Sequence, residues 1–134
     1  MKNIILTSIL FLSISCFSQK QKANLKLPDN FYGCWTSSYE ENDQKTEILI
    51  YRPCKYKEFG ASMFRHYIEF KKDGKCTYLQ AAPNDAHFEA PGTWMYPKKG
   101  GLITVLNEKK ELVFKFKIEH IEKNLMKITT PNSR

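Results

Sequence analysis

The feature that most constrains this chain is the regular return of turn signals between short segments of β-forming residues. Beyond residue 30, clusters of Gly, Pro, Asn, Asp and Lys recur about every 8–12 residues, which is the all-β pattern. No run longer than about six residues carries helical periodicity after residue 25. The spacing predicts eight strands, at residues 31–38, 45–52, 63–71, 75–81, 91–96, 102–106, 111–118 and 124–129.

Two of these strands alternate clearly between apolar and polar side chains, as antiparallel strands with one buried face do. In residues 111–118 the apolar face is made of Leu112, Phe114, Phe116 and Ile118. In residues 63–71 it is made of Phe64, His66, Ile68 and Phe70. We expect His66 to be a core histidine whose hydrogen bonds are satisfied within the protein.

Eight short strands in so small a domain are expected to close on themselves, because closure removes the exposed sheet edges. The predicted fold is therefore an all-β, eight-stranded antiparallel up-and-down barrel. Gly33-Cys34-Trp35 opens the first predicted strand and Gly92-Thr93-Trp94 opens the fifth. Glycine allows close backbone approach and tryptophan plugs a barrel end, so Gly33, Trp35, Gly92 and Trp94 are predicted to be structural.

These two motifs, together with YIEFKKDGKCTY at residues 67–78 and FKIEHIEKNLMKIT at residues 116–129, resemble bacterial lipocalin-like domain proteins. The resemblance covers nearly all of residues 30–130. It implies an exported eight-stranded up-and-down barrel. Only residues 130–134 follow the last predicted strand, so the C-terminal helix of larger lipocalins is not expected.

The N-terminus has the pattern of a signal peptide over residues 1–18. Lys2 precedes an apolar run at residues 4–14, and small residues then lead to Ser18. The alternative is a lipid anchor at Cys16, although Ser13 stands where such signals carry an aliphatic residue. We therefore expect an exported protein that is periplasmic, outer-membrane-associated or secreted.

The remaining chain divides into a linker at residues 19–29, the barrel at 30–130 and a tail at 131–134. No later apolar run is long enough for a transmembrane span, so none is expected in the mature chain. The formal net charge is +7, but the lysines occur in pairs beside predicted turns. That distribution is typical of guarded strand edges, so no nucleic-acid partner is predicted.

Removal of the signal peptide leaves Cys34, Cys54 and Cys76, an odd number. In an oxidising compartment one pair is expected to form, and the alternative is three buried thiols. In an up-and-down meander, Cys34 and Cys54 fall toward one end and Cys76 starts at the other. The least strained disulfide is therefore Cys34–Cys54.

The same meander would place the two longest loops, residues 53–62 and 82–90, at one end of the barrel. The candidate ligand-binding residues are Arg52, Tyr56, Arg65, Asp85 and His87. Guanidinium groups suit a carboxylate or phosphate, and Asp85 and His87 suit a polar group. The alternatives are that Arg52 only pairs with Asp85, and that Pro83-Asn84-Asp85 is an ordinary turn.

No catalytic constellation, metal motif or phosphate loop is present in the sequence. The acidic residues Glu40, Glu41, Asp43 and Glu47 are interpreted as a solvated hairpin tip. We expect no enzyme activity, no cofactor and no metal.

The sequence leaves two functions open. The first is a barrel that binds a small apolar or amphipathic ligand. The alternative is a filled-core envelope module that binds a protein or glycan through residues 53–62 and 82–90. A lumen lined by Arg65, Tyr67 and Glu69 would favour the first function. Phenylalanines that point inward and touch would favour the second.

Overall fold

The computed structural model describes residues 26–84, 86–97 and 101–131. The predicted signal peptide, Cys16 and Asp85 lie outside the described residues. No helix in the described part of the chain is long and apolar enough to span a membrane. Two 3-10 turns, Asp29–Phe31 and Tyr39–Glu41, flank the first strand.

Eight strands make up the fold. They are β1 Gly33–Ser37, β2 Leu49–Pro53, β3 Tyr67–Phe70, β4 Lys75–Ala81, β5 His87–Met95, β6 Ile103–Asn107, β7 Leu112–Glu122 and β8 Leu125–Thr129. Each strand pairs antiparallel with its two neighbours, and the sheet closes into a barrel. The predicted all-β, eight-stranded antiparallel barrel is confirmed.

The strand order departs from a consecutive meander in one place. β3 to β8 follow one another around the barrel, whereas β1 lies between β2 and β3, and β2 pairs with β8. Residues 54–66, here named the crossover segment, therefore carry the chain past β1. Because β2 and β3 are both antiparallel to β1, they run in the same direction, and the crossover segment starts at one end of the barrel and finishes at the other.

This crossover corrects the predicted arrangement of the loops. The second long loop is shorter than predicted, since it spans only residues 82–86 and residues 87–90 belong to β5. This loop lies at the end of the barrel where the crossover segment finishes. The crossover segment starts at the other end, so the prediction that both loops lie at one end was wrong. Residues 63–66, predicted as part of a strand, belong to the crossover segment.

The two ends of the barrel differ in how they are filled. We name the end at which β1 begins the closed end, and the end at which β4 finishes the open end. At the closed end, Trp35 Nε1 donates to the Phe31 carbonyl at 2.8 Å and Trp94 Nε1 donates to the Lys71 carbonyl at 2.9 Å. Backbone acceptors thus fix both the buried Trp35 indole and the partly buried Trp94 indole.

A column of aromatic rings runs from the closed end toward the open end. Centroid distances are 4.5 Å from Phe31 to Phe70, 6.0 Å from Phe70 to Phe116 and 5.2 Å from Phe116 to Phe114. Ile103, Val105, Met126 and Ile128 are fully buried around it. The part of the lumen nearest the closed end is therefore filled by side chains.

Two residues predicted on apolar strand faces are exposed instead. Phe64 is 42% exposed because it lies in the crossover segment and not in β3. Leu112 is 61% exposed because a register shift between Val105 and Leu106 breaks the alternation where β7 begins. Both side chains lie at the rim of the open end.

Glycine is needed at both positions of the repeated motif, but for different structural reasons. Gly33 has a φ of +121°, a conformation that side chains with a Cβ rarely adopt. At Gly92, a Cβ would lie 2.5 Å from the backbone oxygen of Leu106 and 3.0 Å from the Tyr78 ring. The β4–β5–β6 contact therefore depends on glycine at this position.

We expect Gly92→Ala to lower the free energy of unfolding by at least about 2 kcal/mol, because the backbone of β6 must move to accept the methyl group. Chemical denaturation measures the change. Gly60→Ala is the matched control, since a Cβ there meets nothing within 4 Å. Equal stability of the two variants would contradict this account of β4–β6 packing.

Candidate functional site

A cavity of about 410 Å³ lies at the open end, above the aromatic column. Its lining consists of His66, Tyr78, Leu79, Gln80, Ala81, Asn107, Leu112, Val113 and Phe114. An adjoining hollow of about 340 Å³ shares Tyr78, Gln80 and Asn107, and adds Phe88 and Ala90 to the wall.

The cavity exists because bulky inward side chains stop short of the open end. Along β4 the inner face carries Cys76, Tyr78 and then Gln80, and the facing positions of β5 are Gly92, Ala90 and Phe88. Ala90 is small, and Gln80 and Phe88 are exposed at the rim. Phe114 is the last phenylalanine of the column and forms part of the cavity wall.

A hydrogen-bonded pair, the buried Tyr51 and the partly buried His66, forms the polar group of this end. The Tyr51 hydroxyl and His66 Nδ1 are 2.9 Å apart, and the imidazole packs against Phe114 at a centroid distance of 5.1 Å. Burial lowers the pKa of His66 and raises the pKa of Tyr51. Both groups are therefore uncharged at neutral pH.

The crossover segment places His66 at the cavity. The His66 carbonyl accepts hydrogen bonds from the Ser37 backbone N–H at 2.8 Å and the Thr36 hydroxyl at 3.2 Å. The end of the crossover segment is thus fixed to the end of β1. His66 then directly precedes β3, on the same inner face as Ile68 and Phe70.

Three of the predicted ligand-binding residues lie outside the barrel, where they hold the crossover segment. Arg52 pairs with Glu41 at 2.7 Å, and its guanidinium lies 4.7 Å from the centre of the Tyr56 ring. Arg65 pairs with Glu40 at 2.9 Å and also donates to the Ser37 carbonyl. Neither arginine lines the cavity at the open end.

We name Glu40, Glu41, Arg52, Lys57 and Arg65 the crossover clamp. Lys57 lies 3.3 Å from Glu40 and 3.6 Å from Glu41, so each cation of the clamp faces a carboxylate. One interpretation from the sequence is corrected here, because Glu40 and Glu41 belong to an ion-pair cluster instead of a solvated tip. Arg52 pairs with Glu41, while the alternative partner Asp85 lies outside the described residues. The chain brings them together because Tyr39–Glu41 turns back beside β2.

The remaining predicted site residues do not join the clamp. His87 begins β5, and its ring lies 5.2 Å from Phe64 at the rim of the open end. Asp85 is outside the described residues. Within the described ranges, no three His, Cys, Asp or Glu side chains are grouped closely enough to hold a metal ion.

Cys34 and Cys54 form a disulfide that ties the start of the crossover segment to β1. Cys76 is a buried thiol. Cys34–Cys54 was predicted because Cys76 was expected at the opposite end of the barrel from Cys34, and that expectation was wrong. Phe70 of β3 lies opposite Gly33 on one side and opposite Cys76 on the other, so Cys34 and Cys76 are both at the closed end. Cys76 faces the core whereas Cys34 faces outward, so the barrel wall separates them. Burial also raises the pKa of the Cys76 thiol to about 11.

Comparison with protein-family models, with curated proteins and with solved structures gave no match. The interpretation of the site therefore relies on the chemistry and geometry of this chain alone.

Sequence reasoning missed His66, Tyr51 and Gln80 as members of one site. The available signal was the position of His66 on an otherwise apolar face, which was interpreted as a satisfied core residue. The Tyr51 hydroxyl is the partner of only one of the two ring nitrogens of His66, Nδ1. Tyr51 belongs to β2 and His66 precedes β3, and the placement of these two strands on either side of β1 has no local sequence signal.

The crossover clamp predicts a specific acid sensitivity. Hydrogen bonds from Arg52 and Ser38 hold the pKa of Glu41 at about 2, below its ordinary 4.5. A lowered folded-state pKa stabilises the fold above pH 4.5, and this contribution is lost as the pH falls toward 2. We expect Glu41→Gln to lower the free energy of unfolding by up to about 1 kcal/mol at pH 7, because the pair is partly exposed.

Chemical denaturation of the wild-type protein and of Glu41→Gln between pH 7 and pH 2.5 checks this expectation. The two free energies of unfolding should converge at the acid end of this range. Glu47→Gln, an exposed carboxylate of the same connection with no ion pair among the described residues, is the control. A constant difference between wild type and Glu41→Gln at every pH would contradict the role given to the clamp.

Proposed function

We propose that this protein is an exported lipocalin-like barrel that binds a small amphipathic ligand at its open end. The observation that carries the proposal is the contrast between the two ends. Aromatic rings fill the closed part of the lumen, whereas the open end has a cavity of about 410 Å³. Cavities that bind small molecules commonly enclose about 300–1,000 Å³.

The lining is about equally polar and apolar, which favours an amphipathic ligand. Tyr78, Phe114 and Leu112 supply apolar surface, while Gln80 and His66 supply neutral hydrogen-bonding groups. The column below Phe114 leaves no room for a long alkyl chain to enter the barrel axis. The expected ligand is therefore compact.

The two arginines predicted to bind the ligand are not part of the proposed binding site. Arg52 and Arg65 lie outside the barrel and are matched by Glu41 and Glu40. The proposal contains no catalytic step, cofactor or metal. Export is supported by the Cys34–Cys54 disulfide, because disulfides persist in oxidising compartments.

Two observations favour a second function, the docking of an envelope partner at the same end. Inward-pointing phenylalanines touch along the closed part of the lumen, as a filled-core module predicts. Apolar side chains are exposed on the rim and on the crossover segment beside it, namely Met63, Phe64, Phe88, Leu112 and Val113. Such a patch is typical of an interaction surface. A rim that binds a macromolecule would tolerate a blocked cavity, and this difference separates the two functions.

We expect Gln80→Trp to abolish binding of the neutral fluorescent probe N-phenyl-1-naphthylamine, because the indole would fill the cavity mouth. Fluorescence titration should show saturable binding to the wild-type protein and at least about ten-fold weaker binding to the variant. Lys115→Trp is the matched control, since it adds the same ring to an exposed outward position of β7.

Equal affinity of Gln80→Trp and Lys115→Trp would overturn the proposed site. Absence of saturable binding by the wild-type protein would favour the docking function, and the search would then move to partners of the rim.

A further inference from the structure

We infer that the bound ligand presents a carbonyl-type oxygen to the Nε2–H of His66, and that Tyr51 positions the imidazole for this contact. The ligand class is a compact, uncharged amphipathic molecule with one strong hydrogen-bond acceptor. This inference rests on the proposed function and specifies the ligand of the same cavity.

The first step is to assign the proton between Tyr51 and His66. Their contact of 2.9 Å is the only side-chain hydrogen bond that either residue makes within the described chain. A buried hydroxyl donor without an acceptor costs about 1–3 kcal/mol. Nδ1 is the acceptor within reach, so the Tyr51 hydroxyl donates and Nδ1 accepts. The neutral ring then carries its proton on Nε2.

The second step concerns the free donor this assignment creates. Nε2–H has no acceptor among the residues that the structure describes, while the imidazole forms part of the cavity wall. Phe114 packs against the ring and limits its rotation. The cavity therefore contains a fixed N–H donor that a ligand oxygen can satisfy.

The third step excludes charge on the ligand. No Lys or Arg lines the cavity that contains His66, and the arginines of the crossover clamp are outside the barrel. An anion beside His66 would have no cationic partner in this cavity, which is unfavourable. The adjoining hollow has one lysine, Lys109, but Glu108 and Glu111 line the same hollow. A ketone, ester or amide oxygen accepts the Nε2–H without that penalty.

The test compares two probes of equal heavy-atom count and branching, 2-acetylnaphthalene and 2-isopropylnaphthalene, by titration calorimetry on the full chain. We expect the ketone to bind about five-fold more tightly to the wild-type protein, the usual effect of one neutral hydrogen bond. His66→Phe should reduce this ratio to about one while the alkyl probe still binds. Tyr51→Phe should reduce the ratio partly, because it removes the bias between the two tautomers.

His87→Phe is the matched control, since His87 lies at the rim and lines neither hollow. It should retain the five-fold ratio. Nitrogen NMR of the free protein gives a readout independent of binding, and we expect the His66 proton on Nε2.

The outcomes separate the two claims. If neither probe binds the wild-type protein, the proposed function fails. If both bind equally, the proposed function stands and the inference is overturned. A ratio that survives in His66→Phe but disappears in Gln80→Leu would assign the donor to Gln80 and would also overturn the inference. A proton found on Nδ1 would contradict the role given to Tyr51.

Discussion

The packing of aromatic rings along the barrel axis is the interaction on which the rest of this structure depends. Phe31 enters from the 3-10 turn before β1, and Phe70, Phe116 and Phe114 continue the column from the facing strands. The large apolar area of these rings supplies a core to a small barrel. The column ends at Phe114, and the space beyond this ring is the cavity at the open end.

The crossover segment connects this core to the candidate site. It is joined to β1 by the Cys34–Cys54 disulfide at its start and by the Ser37–His66 backbone hydrogen bond at its end. Between these points the crossover clamp holds it through ion pairs on the outer face. The segment thereby carries His66 to the top of the column, where the imidazole contacts Phe114 and the Tyr51 hydroxyl.

The alternation in β3 and β7 made most of the barrel predictable, because side-chain period is a local property of the sequence. The order of β1 and β2 was not predictable in this way, since both orders satisfy the same alternation. The crossover segment that this order requires explains why residues 63–66 do not belong to a strand and why Phe64 is exposed. The site was missed because His66 reaches it through the crossover segment, whose path has no local sequence signal.

Mapping the binding site by NMR tests the central claim most directly. Titration of the labelled protein with 2-acetylnaphthalene should shift the signals of Tyr78, Gln80 and Phe114 at the open end. The signals of Tyr32 and Trp94, which line a separate groove at the closed end, should stay unchanged. Shifts centred on Trp94, or on the outer groove beside Phe59, would contradict a binding cavity above the aromatic column.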